Sequence, residues 1–175
     1  MKRFFIPLVA FVALAIVFGV ELRRAHGTQE VTSALIGKPS PAFELPDLLK
    51  PGSTISSASF KGRWHLVNVW GTWCIECRVE HPVLLEIQRE GKVAIVGLNY
   101  QDDDDAARKW LAELGNPYEA VAVDREGRGA INFGVYGAPE NFLVNPQGVI
   151  VKKWFGLTAD VWNAARKEFI EGAKP

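Results

Sequence analysis

The runs HLVNVW (65–70) and VAIVGLNY (93–100) are short, mostly apolar and rich in β-branched residues, the pattern of strands buried on both faces. Between them Ile75, Val79, Val83 and Ile87 recur every fourth position, which is helix spacing. A strand, a helix and a strand with that much chain between them predict a right-handed βαβ crossover. A second helix is predicted from about Asp103, with Ala107, Trp110, Leu111 and Leu114 on one face, and Gly115-Asn116-Pro117 stops it. EAVAVD (119–124) reads as another short strand. NFLV-NPQG-VIVKKWF (141–155) reads as a hairpin, because Asn145-Pro146-Gln147-Gly148 places Pro second and Gly fourth, as a type I turn prefers. Thr158 can cap a last helix that buries Trp162, Ala165 and Phe169. Alternating elements with a closing hairpin and helix predict an α/β sandwich around a mixed sheet.

The N-terminus follows a different pattern. MKRFFIPLVAFVALAIVFGVELRRAHG begins basic, then runs uncharged and apolar from Phe4 to Val20. Such a run is at the short end for a membrane-spanning helix and long for the core of a signal peptide. Its Ala-x-Ala, Ala13 to Ala15, lies inside the apolar core rather than after it, and Arg23 and Arg24 follow. The expectation is an uncleaved signal anchor over residues 1–20, with a cleaved signal as the alternative. Lys2 and Arg3 before the span are nearly balanced by Arg23 and Arg24 after it, so charge bias barely sets the orientation. Residues 21–38 are polar and aperiodic and read as a tether. GKPSPAFELPDL then leads into a domain expected over residues 39–175.

Composition adds two constraints. At 175 residues, 48% of them apolar, the chain suits one globular domain plus an appendage. Its 20 Lys and Arg against 20 Asp and Glu form no basic run, which argues against nucleic acid as a partner.

Both cysteines lie in WGTWCIECRVEHP (70–82), where the first buried strand meets its helix. A sulfur at a helix N-terminus faces unpaired N–H groups and the positive end of the dipole, which favour thiolate. Cys74 stands at that end, is expected to be the more exposed, and would attack a partner's disulfide. Cys77, one turn in, would point toward the protein and resolve the mixed disulfide. A C-x-x-C on such a turn is a redox signal. Two other readings remain. Cys74, Cys77, His81 and Glu80 could hold copper, although no second C-x-x-C or distant His pair completes a zinc site. A purely structural disulfide would close too small a ring to remove much chain entropy.

NVWGTWCIECRVEHP together with GVYGAPENFLV (134–144) resembles the membrane-tethered, thioredoxin-like thiol:disulfide interchange proteins of bacterial cytochrome c maturation, called DsbE or CcmG, in the wider TlpA-like group. The resemblance covers about residues 36–172, and it implies a thioredoxin-like fold: a mixed central sheet flanked by helices, behind an N-terminal membrane anchor. It implies that Pro82 interrupts the helix and that Pro139 is a cis-proline facing the disulfide. The backbone of Ala138 would then be left to pair with a substrate strand. Trp73, Glu76 and Glu140 would shape the site, and Glu80 could take the proton of Cys77 during resolution. Many thioredoxin relatives carry Pro between the cysteines; here the dipeptide is Ile75-Glu76. Glu76 and Glu80 both oppose a Cys74 thiolate. The pair is therefore expected toward thioredoxin, at about −200 to −270 mV, and away from DsbA at about −120 mV.

Other candidates carry less. His81 reads as helix surface or a satisfied side chain. Asp102 to Asp105 lack the glycine and closing Glu of an EF-hand and are expected to cap and charge the second helix. GRG (127–129) does not extend into a dinucleotide fingerprint. The function implied is a periplasmic disulfide reductase, single-pass in the inner membrane, acting on the haem-site cysteines of apocytochrome c. A membrane thiol-electron transporter of DsbD or CcdA type would supply its electrons, with neither a metal nor a dissociable cofactor. The alternatives are a general or peroxide-reducing thiol enzyme, or a copper chaperone for oxidase assembly.

Overall fold

Strand β4 (His65–Trp70) is buried at every residue, because it lies inside a six-stranded sheet covered on both faces. The computed structural model describes residues 2–25, 29–30 and 33–172. After helix α1 (Lys2–Ala25), β1 (Gln29–Glu30) joins the sheet edge, while β2 (Glu44–Pro46) and β3 (Thr54–Ser56) pair with each other. The chain then alternates: β4, α2 (Ile75–Glu90), β5 (Ala94–Tyr100), α3 (Asp104–Leu114), β6 (Ala120–Asp124), α4 (Arg128–Asn132), β7 (Glu140–Val144), β8 (Ile150–Phe155) and α5 (Ala159–Ala165). The sheet order is β1-β8-β7-β4-β5-β6, with β4, β5 and β6 parallel and β7 and β8 antiparallel. The mixed sheet and flanking helices are those of a thioredoxin-like fold.

Strand alternation divides the core in two. Leu66 and Trp70 of β4, Ile95 of β5 and Leu143 of β7 meet α2, α3 and α5 on one face. Val67, Val69, Val96, Leu98, Phe142 and Val144 face β3 and α4 on the other, against Ile55, Ala130 and Phe133. The hairpin forms as expected: Gly148 N–H donates to the Asn145 carbonyl at 2.8 Å, and Val149 N–H donates to the Asn145 side chain. Thr158 caps α5, which buries Trp162 and Ala165.

The stripe that signals α2 is not the face it buries. Ile75 and Val79 are exposed, at 79% and 67%, while Cys77, Glu80, His81, Leu84 and Ile87 turn inward. At about 3.6 residues per turn a four-residue step overshoots by roughly 40°, so Ile75 and Ile87 lie about 120° apart around the helix.

The described apolar side chains of α1, among them Leu8, Phe11, Leu14, Val17 and Phe18, are exposed. Among the described residues no helix is long and apolar enough to cross a membrane. Of the segment read as a tether, residues 26–28 and 31–32 lie outside the described residues. Gln29 and Glu30 pair with Phe155 and Trp154.

Candidate active site

Cys74 is the N-cap of α2: its backbone is extended, and its sulfur accepts the Cys77 N–H at 3.0 Å. The two cysteines form a disulfide with their Cα atoms 5.3 Å apart. In this oxidised state both cysteines are largely covered, and Cys74, at 6% against 3% for Cys77, is the more exposed of the two, as expected. The exposed residues are its neighbours Trp73, Ile75 and Glu76. Trp73 is drawn back: its indole Nε1 donates to the Tyr100 carbonyl at 3.1 Å, and its ring meets Tyr100 edge-on. The indole covers Gly71, where any Cβ would collide with it.

One turn behind Cys77, Glu80 is fully buried. Its two carboxyl oxygens accept from the amides of Asn68 on β4 and Asn141 on β7, each at 2.7 Å. Asn68 and Asn141 are register partners across the two strands, and Asn68 also donates to the Asn141 oxygen at 3.0 Å. The Tyr118 hydroxyl donates to the Asn68 oxygen at 2.8 Å and so fixes which way that amide points. Burial raises the Glu80 pKa from 4.5 to about 8, against the pull of Asn141, Asn68 and the Leu157 N–H. Burial also lifts Tyr118 well above 10, and the nearby Glu80 adds to it. Glu80 is thus mostly a neutral acid at pH 7. Its charge cannot oppose the Cys74 thiolate there in full, which leaves that role to Glu76 in the exposed first turn.

Opposite, the Ala138–Pro139 peptide bond is cis, as the resemblance implies. Within the described residues no hydrogen bond engages the backbone of Ala138. Glu140 begins β7 on the sheet face away from Glu80. It is wholly buried, its carboxylate 2.8 Å from the equally buried Lys153 ammonium, and it accepts the Tyr136 N–H at 2.7 Å. Lys153 also donates to the Gly134 carbonyl at 3.1 Å and lies over the rings of Tyr136, Phe142 and Phe155 at 5.1–5.5 Å. The pair bolts both ends of the loop carrying Pro139.

His81 is inside rather than on the helix surface. Its Nε2 donates to the Gly115 carbonyl at 3.0 Å and its ring stands edge-on to Trp110, so burial holds its pKa below the usual imidazole range. Among the described residues no group of three or more His, Cys, Asp or Glu is placed to hold a metal ion. Asp103 caps α3 through Ala106 N–H, and Asp104 and Asp105 occupy its first turn, as expected. Asp102 instead grips Thr72, two residues before Cys74.

Four residues of this neighbourhood were not singled out from the sequence, Asn68, Tyr118, Asn141 and Lys153, and Asp102 was read only with the cap of the second helix. For Asn68 and Asn141 the available signal was a single amide inside each of two short, mostly apolar strands, since a polar side chain buried there needs partners.

The Redoxin family model matches residues 35–156. The thiol:disulfide interchange protein DsbE of Pseudomonas fluorescens biotype C is 44% identical, over 100% of this chain and 100% of its own. The protein of that name from Pseudomonas aeruginosa is 51% identical over 76% of this chain and 74% of its own. Among solved structures, the thioredoxin domain of a thiol-disulfide oxidoreductase from Bacteroides vulgatus superposes with a TM-score of 0.67. It is 27% identical and covers 78% of this chain and 99% of its own.

Proposed function

Since this chain belongs to the Redoxin family and, within it, to the thiol:disulfide interchange proteins called DsbE, we propose that its thiol-disulfide oxidoreductase activity serves as a periplasmic reductant of apocytochrome c. The observation that carries thiol-disulfide exchange is the disulfide at the mouth of α2 with a buried carboxyl one turn behind it, and the exposed Glu76 beside Cys74, which opposes its thiolate, favours the reducing direction.

The Cys74 thiolate attacks one sulfur of the partner's disulfide, and the partner's other sulfur leaves as thiolate. Cys77 then loses its proton to ionised Glu80 and attacks Cys74, releasing the partner's second thiolate and leaving the protein disulfide. Two electrons pass to the partner. A group with a pKa near the working pH can both take and return that proton. The cis-Pro139 loop, held from within by the buried Glu140, offers the Ala138 backbone to an extended partner segment beside Trp73 and Glu76. A DsbD- or CcdA-type membrane transporter would return the electrons. The sulfurs carry the redox change, so the reading requires no dissociable cofactor or metal.

The uncharged apolar run from Phe4 to Val20, whose described side chains are exposed, supports an anchor over residues 1–20 in the inner membrane, with a tether over 21–38 and a catalytic domain over 39–175 in the periplasm. Trapping with Cys77→Ser tests the whole reading, because attack remains possible and release does not. Apocytochrome c in the trapped mixed disulfides supports it. Trapping by Cys74→Ser instead reverses the sulfur roles, and partners unrelated to cytochrome maturation overturn the substrate. Retention of the native chain in membranes after alkaline wash checks the anchor; a soluble product starting after Val20 removes it.

A further inference from the structure

The segment Gly71–Trp73 delivers Cys74 to the start of α2, and it leaves the sheet beside the segment that follows the parallel strand β5. There Gln101, at φ +47, takes a left-handed conformation uncommon for a residue with a side chain. Asp102 follows. Its Oδ2 accepts the Thr72 N–H at 2.7 Å and the Asn99 amide at 2.9 Å. Its Oδ1 accepts the Thr72 hydroxyl at 2.6 Å and the Asp103 N–H at 3.0 Å. Helix α3 is capped by Asp103, so the Asp102 carboxylate is not required for that helix. It is committed to the loop before Cys74, which it holds by main chain and side chain together.

We propose that Asp102 is a positioning residue for the redox pair, holding Thr72 so that Cys74 stays within reach of Cys77 after the disulfide opens. In the oxidised protein the S–S bond itself ties the loop to α2. In the reduced protein that tie is gone, and the grip on Thr72, with the Trp73 indole on Tyr100, remains. Holding two reacting groups in place raises the tendency of the pair to close. The inference needs only the thiol-disulfide activity and is independent of which partner is reduced.

The test is equilibration of the full chain with glutathione. The protein dithiol gives two electrons and two protons to one glutathione disulfide, yielding the protein disulfide and two glutathione thiols. Asp102→Ala should lower that equilibrium constant about tenfold, a shift of ~30 mV toward a stronger oxidant. Thr72→Val, which loses only the hydroxyl donor, should lower it about threefold, and Thr72→Ser should restore the wild-type constant. If Asp102→Ala fails to fold, the two Thr72 variants decide alone. A constant unchanged or raised in Thr72→Val overturns the proposal. A shift in Asp102→Ala with Thr72→Val at the wild-type value also overturns it, since that result assigns the effect to the Asp102 charge.

Discussion

Glu80 and Glu140 are the same residue type, both wholly buried, on opposite faces of one sheet at the same end of the molecule. Among the described residues Glu80 meets neutral amides, that of Asn68 anchored by a hydroxyl, while Glu140 meets an ammonium. The first arrangement leaves burial to dominate, so the carboxyl holds its proton to about pH 8 and can exchange it. The second compensates charge with charge, ties two ends of a loop and fixes its position. Burial alone therefore says little about what an acid does; the chemistry of its partner decides.

The largest expected effect comes from breaking the ion pair. Lys153→Met leaves Glu140 buried without a counter-charge and should cost about 3–5 kcal/mol in urea unfolding. Adding Glu140→Gln should recover most of that loss. A single variant within 1 kcal/mol of wild type would show that the pair is not what holds the loop.

Next is Glu80→Gln, which removes the titrating member. Release of mixed disulfides should slow ~10²-fold near neutral pH, the low end for a lost general base. Stability gives a second readout. Because the folded pKa lies above the unfolded value, Glu80 stabilises fully below about pH 4.5, and that contribution is lost as pH rises to about 8. Wild type should lose about 1.4 kcal/mol per pH unit across that window from this group, and Glu80→Gln should lose that part of the slope. A wild-type curve without it would place the carboxyl outside the core.

Tyr118→Phe sharpens the amide side of the comparison. It leaves the Asn68 oxygen buried without its donor and should cost about 1–2 kcal/mol in thermal unfolding. Smallest of all, Glu76→Gln changes an exposed glutamate beside the same disulfide and should stay within about 0.5 kcal/mol of wild type in stability. An effect as large as that of Lys153→Met would mean that proximity to the sulfurs, rather than burial, sets these energies.

The sheet, the helices and the place of the cysteine pair were legible because apolar periodicity and turn residues are local signals. Pro139 was legible only with the resemblance, since an X-Pro bond in isolation favours trans. What the pattern could not supply was pairing across the sequence. Asn68 and Asn141 are far apart in the chain, and only the antiparallel register of β4 and β7 brings them to Glu80. Lys153 stands in a KK dipeptide within a strand, and strand alternation turns it beneath Tyr136 and Phe142. Asp102 was read with the helix that follows it, whereas its bonds run sideways to the neighbouring loop. The every-fourth-residue stripe named the helix correctly but does not mark its buried face, because such a stripe drifts around the cylinder.

The Asn68–Asn141 pair also bears on how the chain finds this sheet at all. A slip of β7 by one residue along β4 would turn every β7 side chain to the opposite face. Asn141 would then point toward the side of Lys153, and Glu140 toward the side of Glu80, placing two acids in one apolar layer with a lysine stranded in the other. Apolar strands such as HLVNVW and ENFLV would otherwise tolerate neighbouring registers well. The groups proposed to manage the proton thus also make mispairing costly, and the sheet is proofread by the polar residues at its active end.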